Sequence, residues 1–97
     1  MTPRRSYAPG REDAEALALQ ALAFVATDPA ALNRLVAESG LAPTALGDAA
    51  RDAAFLGGVL DFLLQDEALL LAFCAAEAIA PERPLAARRH LPGAAPE

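Results

Sequence analysis

The sequence predicts an all-α fold, a single-domain bundle of five to six short helices with flexible termini. Three observations carry that expectation. Alanine and leucine fill 42 of the 97 positions, and both are strong helix formers. Residues that favour strands are few, with four phenylalanines, one tyrosine and no tryptophan. Aspartates stand just ahead of apolar runs at Asp28, Asp52 and Asp66, where a short carboxylate can cap the first turn of a helix. A chain of 97 residues makes one domain. Its expected layout is a flexible basic arm over 1–11, a helical domain over 12–91 and a flexible tail over 92–97.

The first helix is expected from about Glu12 to Thr27. Glu12, Asp13 and Glu15 in its first turn suit the positive end of the helix dipole. Leu17, Leu22, Phe24 and Val25 cover so much of its circumference that it should be largely buried. The second runs from Pro29, at a favoured first position behind Asp28, to Ser39, and Gly40 stops it. A short third helix is expected over Pro43–Ala50, although Ala42 is a poor cap. Asp52 opens a fourth, from Ala53 to about Gln65, in which Phe55, Val59, Phe62 and Leu63 follow a helical period. Asp66 opens a fifth, from Glu67 to about Ile79. A tight break at Asp66 is preferred to one kinked helix, which would span about 40 Å at 1.5 Å per residue. The last helix is expected to start at Pro84, because a proline disfavours helical geometry in the residue before it, and to reach Leu91 ahead of Pro92-Gly93.

Gly57 and Gly58 fall inside the fourth helix, where each costs about 1 kcal/mol relative to alanine. Both are expected to permit close approach of another backbone.

Charge narrows the function classes. The net charge of −5 is unevenly spread. Residues 12–80 hold eleven acids against Arg34 and Arg51, whereas residues 1–11 hold three arginines and no acid. An acidic body repels phosphate backbones, so nucleic acid is an unfavourable partner. The opening MTPRRSYAPGR lacks the apolar core of a signal peptide. No apolar run approaches the roughly 20 residues of a membrane span. The expectation is a soluble, cytoplasmic protein. A single cysteine, Cys74, cannot form an internal disulfide.

The stretch 55–74, FLGGVLDFLLQDEALLLAFC, resembles the hallmark of a small bacterial family, the domain of unknown function family 3572 of alphaproteobacteria. The opening AEALALQALAF at 14–24 and the Asp28-Pro29 turn are also similar. The resemblance spans about residues 12–91, and its specific part is Asp61, Phe62, Asp66, Glu67 and Phe73-Cys74. Pro84 departs from the continuous final helix that the family leads one to expect. The family has no established activity, so the resemblance implies an all-helical cytoplasmic bacterial protein and no chemistry.

The residues themselves point to no enzyme. The only histidine, His90, ends the last helix, and the only cysteine lies in the most apolar one. They read as a dipole-favoured surface group and a core residue. Two such ligands fall short of a zinc site. No phosphate-binding loop, dinucleotide fingerprint or metalloprotease motif is present. Asp52 and Asp66 are explained as caps, and Asp48 and Asp61 read as solvated. Neither cofactor, metal nor small-molecule ligand is expected.

Residues 35–46 resemble a helix-turn-helix through Ala37, Gly40, Leu41 and Leu46. The second helix, however, offers Thr44 and Asp48 and reaches a basic residue only at Arg51. That is a poor set of donors for base edges. A DNA-binding or transcription-related factor using a degenerate helix-turn-helix at 35–51 is therefore the alternative reading. The leading one is a non-catalytic protein–protein interaction module or adaptor using the helix pair 53–79. Between Phe55 and Ile79 only Asp61, Asp66, Glu67 and Glu77 are charged, and large apolar residues lie on more than one face. The expected partner-binding residues are Phe55, Val59, Asp61, Phe62, Asp66, Glu67, Leu70 and Phe73. The expected partner is another protein or a second copy of the chain.

Overall fold

A computed structural model of the chain describes residues 10–93. The expected arm and tail fall mostly on residues 1–9 and 94–97, outside the described residues. Six α-helices follow one another: α1 Arg11–Ala26, α2 Pro29–Ser39, α3 Leu46–Ala49, α4 Ala53–Leu64, α5 Glu67–Glu77 and α6 Glu82–Arg88. No strand occurs among the described residues, and the all-α bundle is the fold.

Three of the starts are aspartate caps. Asp28 accepts from the backbone N–H groups of Ala30 and Ala31 at 3.1 and 3.5 Å. Asp52 accepts from Ala54 at 2.9 Å and Asp66 from Leu69 at 3.1 Å. Each cap is extended, so the chain turns sharply there; α1 and α2 are bent by 120°. Gly40 ends α2 in the left-handed region with φ 75°, which a residue without Cβ adopts freely. The tight break at Asp66 separates α4 from α5, as its capping chemistry requires.

Two elements differ from expectation. The third helix is split into a 3-10 turn, Pro43–Ala45, and the four residues of α3. Ala42 supplies no side-chain cap, and nothing in this stretch is buried to anchor it; short uncapped pieces fall readily into 3-10 geometry. The final helix begins at Glu82 rather than Pro84. The N–H that proline lacks is one of the first-turn donors that have no acceptor within a helix anyway, so Pro84 fits in the first turn, where it is buried.

Helix α5 stops at Ala78, the one non-glycine residue with positive φ among those described, at φ 57° and ψ 47°. That conformation costs an alanine about 1–2 kcal/mol. It lets the Ile79 N–H reach back to the Cys74 carbonyl at 2.9 Å and turns Ile79 inward, so that Cys74 and Ile79 are both buried.

Helix α4 is the axis of the bundle and contributes Leu56, Val59, Leu60, Phe62 and Leu63 to the core. Helix α1 meets it with Ala14, Leu17, Ala18, Ala21 and Val25, whose small residues let the two helices lie close. Helices α2, α5 and α6 pack around α4, and α6 also lies against α1. An edge-on contact of Phe24 with Phe73, centroids 5.5 Å apart, ties α5 to α1. No helix among the described residues is long and apolar enough by itself to cross a membrane.

Candidate interaction surface

The two glycines of α4 have different surroundings. Adjacent helical residues point about 100° apart, so Gly57 faces inward and Gly58 outward. Gly57 is buried, and a Cβ there would lie 2.8 Å from Nη1 of Arg88 and 3.0 Å from the Pro92 carbonyl. Its approaching group is thus a guanidinium and a loop carbonyl, not another helix. At Gly58 a Cβ would meet nothing within 4 Å, so the expected close contact is absent there.

Arg88 is the buried charged residue of the core, 8% exposed. It donates from Nε and Nη2 to the two oxygens of Asp61 at 2.7 and 3.1 Å. Its Nη1 donates to the carbonyls of Leu91 and Pro92, both at 3.1 Å. Fork-to-fork pairing of this kind fixes geometry as well as charge. Asp61, expected as a solvated face residue, keeps a side chain that is 48% exposed but is paired to a buried guanidinium, and the same guanidinium holds the Pro92 carbonyl beside Gly57 of α4.

The expected partner-binding residues divide accordingly. Val59, Phe62 and Phe73 are buried in the core, so they cannot form the exposed centre of a docking face. Asp61 is engaged by Arg88. Asp66 caps α5 and pairs with Arg34 at 3.1 Å. The Leu69 N–H, and next the Arg34 guanidinium, hold its carboxyl below the usual range. Of the supposed acidic rim only Glu67 stands in solvent without an ion pair among the described residues. Phe55 and Leu70 are half-buried. Burial, and then the charge of Glu82, push the Cys74 thiol up.

Phe55 and Phe62 nevertheless belong to an open site. Together with Leu35, Glu38, Ser39 and Gly58 they line a groove of about 150 Å³ between α2 and α4. Leu35 and Phe62 are buried at its base, and Phe55 is half-buried. Glu38 and Ser39 are exposed on the α2 side, and Gly58 lies open along α4. The guanidinium of Arg34 stands 5.2 Å from the Phe62 ring centroid, within cation–π range. Sequence reasoning missed Leu35, Glu38 and Ser39. Gly58 was the available signal, because a mid-helix glycine with no neighbour leaves its helical cost unexplained within the monomer.

Other apolar surface is less defined. Leu19 and Leu71 are 43% and 46% exposed. Leu19 lies in a shallow cleft of about 290 Å³ between α1 and α3, but the α3 wall has no buried residue to fix its shape. Leu71 shares the outer side of α5 with exposed Ala68, Ala72 and Ala75. The expected helix-turn-helix lacks a continuous second helix, since residues 43–49 are divided between two kinds of turn.

A family model described as protein of unknown function (DUF3572) matches residues 11–94. The chain belongs to the DUF3572 family. The match takes in α1 through α6 and the segment that closes over Arg88, so the whole described bundle is the DUF3572 domain. No curated protein and no solved structure matches this DUF3572 chain.

The surroundings of the glycines in this DUF3572 domain give opposite expectations for one substitution. Gly57→Ala should lower stability by about 1–2 kcal/mol, because overpacking outweighs the gain in helix propensity. Gly58→Ala should raise stability by about 1 kcal/mol. Chemical denaturation of both variants in dilute solution reads the two signs directly.

Proposed function

We propose that this domain is a non-catalytic protein–protein interaction module and that its docking site is the groove between α2 and α4. The observation that carries this reading is Gly58, a helix-interior glycine with open space where its side chain would be. Such a position lets another backbone come closer to α4 than any side chain would allow. The groove beside it supplies what a docking site needs, an apolar base with polar groups at the edge. Helix α4, one wall of the groove, is packed against α1, α5 and α6 as well as α2.

The test is affinity capture by the tagged chain, compared with its Gly58→Arg variant. Arginine is a good helix former and the site is open, so the variant should keep its helical circular dichroism. Stoichiometric capture of a protein, which includes a second copy of the chain, is expected for the parent and should be lost in the variant. Capture that survives Gly58→Arg but disappears with Leu71→Asp would move the docking face to α5 and overturn the reading.

A further inference from the structure

We propose that the groove between α2 and α4 takes a basic amphipathic helix of another protein, which inserts one bulky apolar side chain and sets a lysine or arginine against Glu38. The assignment rests on the interaction-module reading above and names the chemistry of its partner. The groove is concave, with a volume of about 150 Å³. An apolar cavity of about that size holds a benzene ring, so there is room for one large side chain. Leu35, Phe55 and Phe62 make that room apolar, and a polar anchor would lose its hydration there without compensation. Both walls are helices whose backbone groups are bonded internally. An extended segment would find no backbone partners on them, whereas a helix arrives with its own backbone satisfied. At Gly58 no Cβ stands between that helix and α4.

The charge of the partner follows from which polar groups of the groove are already engaged. The Ser39 hydroxyl donates to the Val36 carbonyl at 3.2 Å and accepts from the Leu41 N–H at 3.3 Å. Arg34, the cation over the Phe62 ring, is neutralised by Asp66 at 3.1 Å. Glu38 is exposed and has no ion pair among the described residues. It is therefore the uncompensated charge of the groove. The surrounding field has the same sign. The described residues hold twelve acids and six arginines, and three ion pairs use one of each. Nine acids then stand against three arginines. A cationic helix is drawn towards such a surface, and an acidic one would set like charges together at Glu38. A basic residue three or four positions from the anchor lies on the same face of the helix, so one turn supplies both groups. The cleft between α1 and α3 offers no such selection, because it has no charged residue in its lining.

A displayed library of amphipathic helices tests this, with a leucine or phenylalanine anchor held fixed and the positions three and four residues to either side randomised. Selection on the full chain should enrich lysine and arginine at those positions. The selected helices should bind Glu38→Arg about fivefold more weakly or worse. They should bind Glu77→Arg, which changes the net charge equally at the far end of α5, as they bind the parent. Gly58→Gln fills the open site without adding charge and should weaken them about tenfold. Reselection on Glu38→Arg should turn the enriched positions to aspartate and glutamate. Selected helices with neutral or acidic flanks that are lost on Gly58→Gln overturn the basic partner and leave the groove standing as the docking site. Equal loss with Glu38→Arg and Glu77→Arg overturns the assignment, because binding then answers to net charge alone. Helices indifferent to Gly58→Gln overturn it and count against the groove as well. If no helix is selected the assignment also fails, while protein capture lost on Gly58→Arg would keep the interaction reading.

Discussion

Phe73→Ala is expected to cost the domain about 3–5 kcal/mol, against a total stability of about 5–15 kcal/mol for a domain of ordinary size. Phe73 is wholly buried and heads the fully buried side chains by volume. Truncation removes its apolar burial, opens a cavity between helices and abolishes the edge-on contact with Phe24, whose ring planes meet at 61°. The loss falls on α5, which buries only Phe73 and Cys74. Urea denaturation followed by far-ultraviolet circular dichroism would show an early transition, or a chain already unfolded in buffer. The two sides of the same helix provide the contrast. Leu71→Ala, at a 46% exposed position, should stay within about 0.5 kcal/mol of the parent.

Arg88→Ala comes next, at about 3 kcal/mol. Breaking a buried ion pair by removing one member costs about 3–5 kcal/mol, and the lower end applies because the Asp61 side chain is 48% exposed and water can replace its partner. The substitution also leaves the carbonyls of Leu91 and Pro92 without their donor and empties the space over Gly57. That last effect makes the two positions interdependent. Gly57→Ala should destabilise the parent but cost less or become neutral once Arg88 is truncated, because the guanidinium has gone and the Pro92 carbonyl, also 3.0 Å from the new methyl group, has lost the donor that holds it there. A double-mutant cycle by thermal or urea denaturation measures the coupling. Additive effects would show that Arg88 does not constrain position 57.

The local chemistry of the chain was legible wherever it acts within a few residues. Asp28, Asp52 and Asp66 could be read as caps because a cap needs only its own turn, and α2, α4 and α5 begin where those aspartates place them. Pro84 was misread because its effect on Arg83 was weighed without the first-turn tolerance that balances it. The split of 43–49 into two turns reflects a lack of tertiary anchors, which no local pattern reports. Long-range pairing was harder still. Arg88 and Asp61 are 27 positions apart, and each resembles an ordinary surface charge until α6 is laid on α4. Of the expected binding residues, Phe55 and Phe62 do line the groove. The rest, on α4 and at or in α5, do not line it, because a helical period alone does not say which face the core takes. Glu38 and Leu35 escaped notice because they come from α2, whose contact with α4 is a matter of topology.

The glycine pair also bears on how the domain folds. Two glycines in the twelve residues of α4 weaken its intrinsic helicity by about 2 kcal/mol relative to alanine, and an isolated helix of that length is marginal in water even without them. The element on which the others pack is therefore poorly able to form alone. Its hydrogen bonds must be won together with the burial of Leu56, Val59, Leu60 and Leu63 against α1 and its neighbours. Helix and core should then appear in a single kinetic phase, with α4 substitutions giving fractional rather than extreme φ-values, so that this helix is assembled by its surroundings rather than offered to them ready-made.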